Sequence, residues 1–468
     1  MAEPTYRRRL LVLAICCMSL LIVSLDTTVL NVALPSIRRE LNASVSGMQW
    51  TIDAYTLVLA ALLMLSGSMA DRYGRRRVFQ LGLVVFTIGS VLCSLAPSLG
   101  WLVAFRMVQA VGGSMLNPVA MSIITNVFTD PKERARAIGM WGGVAGLSMA
   151  AGPLVGGLLV DTLGWRSIFW LNLPLGAAAL LLTALYVPES KAPTPRRIDP
   201  VGQLLVIVLL GSLTFGIIEV PSTGWLSPLI LGCFALAACA LAGLLLYEPR
   251  RVDPLIDLRF FRSAPFSGAT VVAVAAFAAL GGFLFLNTLY LQEARGLSAL
   301  NAGLYTLPMA GMTLVAAPLS GRLVAARGPR LPLVLAGLAM AASGVLAVAF
   351  DAATSDPLLI TVYVLFGGGF GLVNAPITNT AVSGMPIAQA GVAAGITSTS
   401  RQVGQSLGVA VIGSVIAASA GFAAAGRTSW WIITGCGVAV LVIGAATSGP
   451  WAAGTAERTA ARMAAVRT

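Results

Sequence analysis

The chain contains no histidine. Proton chemistry therefore falls to carboxylates or tyrosines, because the side chain that ordinarily titrates nearest neutrality is missing. Charge is scarce as well: only 10% of the 468 residues are Asp, Glu, Lys or Arg, against about 25% in an ordinary soluble domain. With 57% hydrophobic residues and a mean hydropathy of +0.88, a soluble domain is excluded and an all-α membrane protein is expected. The period-two alternation of a membrane β-barrel is absent. Cys16, Cys17, Cys93, Cys233, Cys239 and Cys436 lie in apolar runs without metal-ligand spacing, so they read as small buried hydrophobes, not as disulfides or a metal site. Gly367-Gly368-Gly369-Phe370-Gly371 lies inside an apolar run with no Lys-Ser/Thr after it, which excludes a phosphate-binding loop and argues against an ATP-driven pump. No nucleophile–base pair or metal cluster emerges, so neither an enzyme nor a cofactor is expected.

What is present is organised around one charged knot, Gly67-Ser68-Met69-Ala70-Asp71-Arg72-Tyr73-Gly74-Arg75-Arg76-Arg77, wedged between two long apolar runs. A turn this short cannot cross a bilayer, and its excess of arginine places it on the cytoplasmic side. Apolar segments fall at about 10–34, 50–70, 78–97, 100–127, 137–160, 167–187, 200–219, 227–247, 266–291, 301–321, 331–350, 357–380, 392–418 and 430–448, which predicts fourteen spans. The Arg7-Arg8-Arg9 run precedes an apolar stretch too long for a signal-peptide core, and it reads as a retained first span. With both termini in the cytoplasm, the inner segments take most of the thirty Lys and Arg residues, including Arg196, Arg197 and Arg467, while Arg38, Arg39, Arg166, Arg295 and Arg427 fall outside. That asymmetry supports an even number of spans. The net charge of +12 is dispersed over short loops, so the partner it suggests is the lipid bilayer, and no nucleic acid is expected.

Gly321 and Gly328 repeat the glycine spacing of Gly67 and Gly74, each 254 residues later, with Ala325 where the first copy has Asp71. This weak repeat gives two six-span halves, 1–190 and 263–468, separated by 191–262 with two inserted spans.

The knot resembles the Gly-x-x-x-Asp-Arg-x-Gly-Arg-Arg loop signature of the major facilitator superfamily. Four further stretches resemble signatures of its fourteen-span drug:proton antiporter family: Leu25-Asp26-Thr27-Thr28-Val29-Leu30-Asn31-Val32-Ala33-Leu34-Pro35, Gln49-Trp50-Thr51-Ile52-Asp53-Ala54-Tyr55, Arg106-Met107-Val108-Gln109, and Gly152-Pro153-Leu154-Val155-Gly156-Gly157. Arg401-Gln402-Val403-Gly404 is similar to its thirteenth span, so the resemblance covers nearly the whole chain. Ala110 and Ser148 depart from the usual glycines but are small enough for close helix approach. The tenth span has no acid, whereas some family members that export dications carry one there. The resemblance implies a major facilitator fold of two six-helix bundles plus two inserted helices, with a cytoplasmic latch formed by Gly67, Asp71, Arg72, Gly74 and Arg75. It also implies a seal against leak at the antiporter motif of Gly152, Pro153, Gly156 and Gly157; on physics alone, those residues are ordinary small-residue packing with a proline bend.

Ionisable groups at membrane depth are the default functional candidates: Asp26, Asp53, Arg106 and Arg401. Asp26 lies roughly 24 Å along the first span at about 1.5 Å per residue, in the same outward half as Asp53 and Arg106. Asp26 is expected to carry the coupling proton or meet a cationic substrate, with Arg106 setting its protonation and Asp53 assisting; a helix-packing carboxylate and its structural counter-ion is the competing reading. Arg401, after Ser398, Thr399 and Ser400, either lines a cavity or bonds helix carbonyls. Glu219 reads as a solvated acid ending an inserted span. The expectation is a proton-coupled antiporter in the cytoplasmic (inner) membrane that exports amphipathic, cationic or neutral small molecules. A proton-coupled importer or facilitator of a metabolite, and a non-transporting membrane receptor, are the alternatives.

Overall fold

The computed structural model describes residues 6–192, 198–251, 254–382, 390–419 and 422–465. Arg196, Arg197 and Arg467 of the expected inner charges lie outside them. No strand occurs among the described residues, which divide into two compact units.

The first unit runs over Met1–Asp199 and Leu297–Leu304. Its helices are α1 (Tyr6–Leu41), α2 (Val45–Tyr73), α3 (Arg75–Ser94), α4 (Leu99–Val127), α5 (Pro131–Leu163), α6 (Ser167–Trp170) and α7 (Asn172–Tyr186). Their starts follow from local chemistry. Ser44 Oγ accepts the Gly47 amide at 3.1 Å, and Asp130 accepts the amides of Lys132 and Glu133 ahead of α5, satisfying donors that the first helical turn leaves open. The expected single span at 167–187 is interrupted at Leu171 because Pro174 has no amide to give the Trp170 carbonyl and its ring crowds that oxygen. Phe79, Leu83 and Phe86 of α3 and Leu116, Val119 and Ile123 of α4 lie at the centre of the core. The helices meet where glycine removes bulk: a Cβ on Gly112 would lie 2.2 Å from the Phe86 amide nitrogen.

The second unit runs over Pro200–Gly296 and Tyr305–Thr468. It contains α8 (Pro200–Thr223), α9 (Pro228–Tyr247), α10 (Ala264–Leu289), α12 (Leu307–Arg327), α13 (Arg330–Ala347), α14 (Asp356–Val382), α15 (Ala390–Ala418), α16 (Phe422–Thr447) and α17 (Pro450–Ala465), with α11 (Ala299–Tyr305) leading into it. Pro308 breaks the run at Thr306, by the same logic as Pro174. The inserted helices α8 and α9 pack within this unit, where Ser414 Oγ donates to the Ile217 carbonyl at 2.6 Å. Glu219, inside α8, accepts from Ser222 Oγ. The tail forms a helix, and Thr455 Oγ1 accepts the first amide of α10 from Ala264 at 2.9 Å. Gly74 and Gly328 both end their helices with positive φ, 116° and 75°, so the repeat read from glycine spacing is also a repeat of backbone geometry.

Thirteen helical stretches among the described residues are long and apolar enough to cross a bilayer. The expected count of fourteen differs by one because the segment at 392–418, though a continuous helix, carries Thr397, Thr399, Ser400, Arg401, Gln402, Gln405 and Ser406, which dilute its apolar character. Helix α9 exposes Leu229, Leu231, Leu236, Leu241, Leu245 and Leu246, a face suited to lipid and costly in water.

Gly112→Val is expected to destabilise the detergent-purified protein by about 1–3 kcal/mol or more, because neither backbone at the α3–α4 contact can yield. Gly139→Ala, in α5 with nothing near its added Cβ, should leave the thermal midpoint unchanged or raise it; equal loss in both variants would show that the contact is not the cause.

Candidate functional site

Asp26 and Arg106 meet inside the first unit, Nη1 to Oδ2 at 2.5 Å, with side chains 2% and 1% exposed. The sequence fixes their depths, and packing of α1 against α4 turns one toward the other. The carboxylate accepts two more bonds on Oδ1, from Gln109 Nε2 and Asn172 Nδ2, both 2.8 Å long. Arg106 has further partners: Nη1 donates to Gln109 Oε1 at 2.8 Å, Nε donates to the Thr51 carbonyl at 3.4 Å, and the Tyr55 ring lies 4.2 Å from its guanidinium carbon. Asn172 also donates to Ser90 Oγ, which in turn donates to the Phe169 carbonyl. The result is a buried ion pair whose remaining valences are largely met, the condition under which such a pair is tolerated in an apolar interior. The Tyr55 hydroxyl and Asn172 Oδ1 are buried without a hydrogen-bond partner among the described residues.

Asp53 is brought to a different place. Fully buried in α2, it accepts from Thr56 Oγ1 at 3.3 Å, and the network around Asp26 and Arg106 uses Thr51 and Tyr55 of that helix, two residues to either side. A two-residue step turns a helix by about 200°, so the similar depth expected from the sequence does not become a shared site.

The knot closes on the segment after α7. Asp71 pairs with Arg75 at 3.0 Å, the Arg75 amide donates to the Ser190 carbonyl, and the Ala192 amide donates to the Asp71 carbonyl. Glu189 Oε1 accepts the Arg76 amide at 3.1 Å at the start of α3, where the helix dipole favours a carboxylate. Gly74 leaves room for it: at φ 116°, an added Cβ would stand 2.6 Å from Glu189 Oε1. Arg72 lies 5.9 Å from the Tyr73 ring centroid, and Gly67 has Pro118 as its nearest neighbour, at 4.0 Å from a built Cβ.

The Gly152–Gly157 stretch faces two neighbours within the first unit. Gly152 and Gly156 face Thr28 and Val29 of α1, while Gly157 faces the backbone at Ala299 and Leu300. Pro153 leaves α5 continuous, and its carbonyl is 2.3 Å from a built Cβ on Gly303. One turn beyond Gly157, Asp161 accepts the amides of Ala299 and Leu300 at 3.2 and 2.9 Å.

In the second unit, Arg401 Nη2 donates to Thr378 Oγ1 at 2.7 Å and the guanidinium carbon lies 5.8 Å from the Phe277 ring centroid. Elsewhere in that unit the Tyr363 hydroxyl donates to Asn287 Oδ1 at 2.6 Å, beside stacked Phe283 and Phe366. Sequence reasoning assigned no role to Gln109, Asn172, Ser90, Glu189, Asp161, Asn287 or Tyr363. Gln109 was accessible as the i+3 neighbour of Arg106 on one helix face; the others carry no spacing signal, because their partners lie far away in the chain.

Residues 16–409 match the family model described as Major Facilitator Superfamily. The chain belongs to the Major Facilitator Superfamily. It is 40% identical to the multidrug resistance protein Stp of Mycobacterium tuberculosis, over 88% of this chain and 76% of that protein. It is 38% identical to the tetracenomycin C resistance and export protein of Streptomyces glaucescens, over 86% and 74%. Among solved structures, it is similar to a bacterial homologue of the lysosomal transporter Spinster in an inward-facing, occupied conformation (TM-score 0.68, 18% identity, 97% of this chain and 98% of that one) and to a D-xylose–proton symporter (TM-score 0.68, 17% identity, 93% and 97%). At these identities, the two structures establish the fold of this superfamily member and nothing finer.

Arg106→Leu, which leaves the Asp26 carboxylate buried without its cation, is expected to cost about 3–5 kcal/mol of stability. The double variant Asp26→Asn/Arg106→Leu should recover a substantial part of it in thermal unfolding. Additive losses would mean that the two groups are not energetically coupled.

Proposed function

We propose that this superfamily member exports amphipathic organic compounds across the cytoplasmic membrane in exchange for protons, with both termini cytoplasmic. The observation that carries the reading is the Asp26–Arg106 pair, an ion pair with 2% and 1% of its side chains exposed inside an apolar helical unit. The names of the relatives, multidrug resistance and antibiotic export, supply the substrate class. The arginine bias of the predicted inner segments supports the orientation.

The exchange rests on competition for one carboxylate. When a proton or a cationic substrate group takes Asp26, Arg106 keeps Gln109 Oε1, the Thr51 carbonyl and the Tyr55 face, so displacement does not strand the guanidinium. Gln109 and Asn172 amides hold the carboxyl in position in either state. The two occupants exclude each other at Asp26, which is the linkage an antiporter needs. Asp53 assists as a second buried carboxylate without sharing the pair. The Asp71–Arg75 knot, with Gly67, Arg72 and Gly74, acts as the cytoplasmic latch, and the Gly152–Gly157 contacts, reinforced by Asp161, act as the seal. No catalytic step and no cofactor enters this reading.

The test is ethidium transport in proteoliposomes under an imposed pH gradient. The intact protein should move the dye against its gradient as protons flow the other way, and Asp26→Asn should reduce the rate to that of empty vesicles. Gradient-driven transport that survives Asp26→Asn would remove Asp26 from the coupling. Transport in the intact protein that ignores the gradient would make the protein a facilitator.

A further inference from the structure

We infer that Arg401 is the receptor for the carboxylate of an amphipathic ligand, with the Phe277–Phe370 pair beside it taking the apolar body. This goes beyond the export reading, because a carboxylate ligand does not compete for Asp26, and it rests on that reading only for the consequence that the bound compound is moved.

The two arginines at membrane depth are treated differently by their surroundings. Arg106 has a built-in counter-ion and partners at Nε and Nη1. Arg401 has one hydrogen bond, to Thr378 Oγ1, and no carboxylate partner among the described residues; its Nε is buried without an acceptor. Nor is a carboxylate nearby in the chain. The sequence has no Asp or Glu between Asp356 and Glu457. On the neighbouring helices, Glu219 of α8 is reached through the Ser414–Ile217 contact, and Ser414 stands roughly 20 Å along α15 from Arg401 at about 1.5 Å per residue. Glu293, beyond the end of α10, is roughly 24 Å along from Phe277 by the same rise. A guanidinium has five N–H donors arranged as a planar fork that fits a carboxylate edge, and here one of them is used by the protein.

The surroundings hold that fork in place. Thr378 Oγ1 donates to the Asn374 carbonyl at 3.1 Å, which leaves an oxygen lone pair to receive Arg401. One and two turns beyond Arg401, Gly404 and Gly408 bring the α15 backbone against α10, with built Cβ atoms 2.4 Å from the Val274 carbonyl and 2.1 Å from the Ala278 carbonyl. Phe277 lies between those carbonyls on α10 and packs edge-on against Phe370, with centroids 5.1 Å apart. A cation fixed beside an aromatic pair on a tightly crossed helix couple is a preorganised site for a group that is charged at one end and apolar at the other. The cost of keeping an arginine at this depth without a counter-ion is then offset when the ligand supplies one.

The test is calorimetric titration of the full-length protein in a neutral detergent with 1-naphthaleneacetate and with its uncharged isostere 1-naphthaleneacetamide. It needs neither vesicles nor a proton gradient, so its failure is separable from failure of the export reading. The carboxylate should bind roughly tenfold more tightly than the amide, the value of a charge-assisted hydrogen bond. Arg401→Gln should remove that preference while leaving the amide affinity unchanged, and Gly139→Ala, which meets nothing near its added Cβ, should leave the preference intact. Should Arg401→Gln fail to purify, Arg401→Lys decides in its place: loss of the planar fork should cut the preference by about threefold or more. Equal affinity of the two compounds for the intact protein, no binding of either, a preference that survives the Arg401 substitution, or an equal loss of amide affinity would each overturn the assignment.

Discussion

The buried pair of Asp26 and Arg106 sets a constraint that the rest of the first unit satisfies. Two opposite charges 2.5 Å apart at 2% and 1% exposure are stable in an apolar interior only if their remaining hydrogen-bond valences are met nearby. Four helices besides α1 answer that requirement: α2 gives the Thr51 carbonyl and the Tyr55 ring, α3 gives Ser90, α4 gives Gln109 and Arg106 itself, and α7 gives Asn172. The Pro174 break that starts α7 at Asn172 is thus also what separates that amide from the preceding turn. A bundle held together by such a network has one favoured packing, because sliding any member by a turn would leave a buried polar group unpaired.

The two units solve the problem of an intramembrane arginine in opposite ways. In the first, the chain provides the carboxylate. In the second, it provides a hydroxyl, an aromatic ring and open donors, and a stretch of sequence from Asp356 to Glu457 that is free of acids between its ends. The weak repeat is preserved in backbone form, with positive φ at Gly74 and Gly328. It is lost in charge, with Ala325 standing where the first copy has Asp71 and no counterpart of the Glu189 clasp described there. The two glycine turns share a backbone form and carry unlike chemistry.

Helix existence and the superfamily were legible because each depends on local pattern: about twenty apolar residues make a span, and Gly67 to Arg76 makes the signature turn. The break points at Leu171 and Thr306 were less legible, although Pro174 and Pro308 were in plain view, because the apolar runs continue through them. The count of spans came out one lower among the described residues since α15 trades apolar residues for Thr397, Ser400, Arg401 and Gln405. That same polarity is what makes α15 a candidate site.

By itself, the sequence determined composition, the positions of thirteen of the fourteen expected spans, the clustering of arginine in alternate loops and the identity of the intramembrane charges, all of which are properties of residues within a turn or a loop of one another. Tertiary structure decided which charges meet. Asp26 and Asp53 are both carboxylates for which the sequence predicts similar depth, yet only Asp26 reaches Arg106, because depth is set by rise along a helix while partnership is set by rotation about it and by which helix packs alongside. The partners Asn172 and Glu189 lie 146 residues from Asp26 and 113 from Arg76. No local pattern encodes such separations; they exist only once the helices are packed.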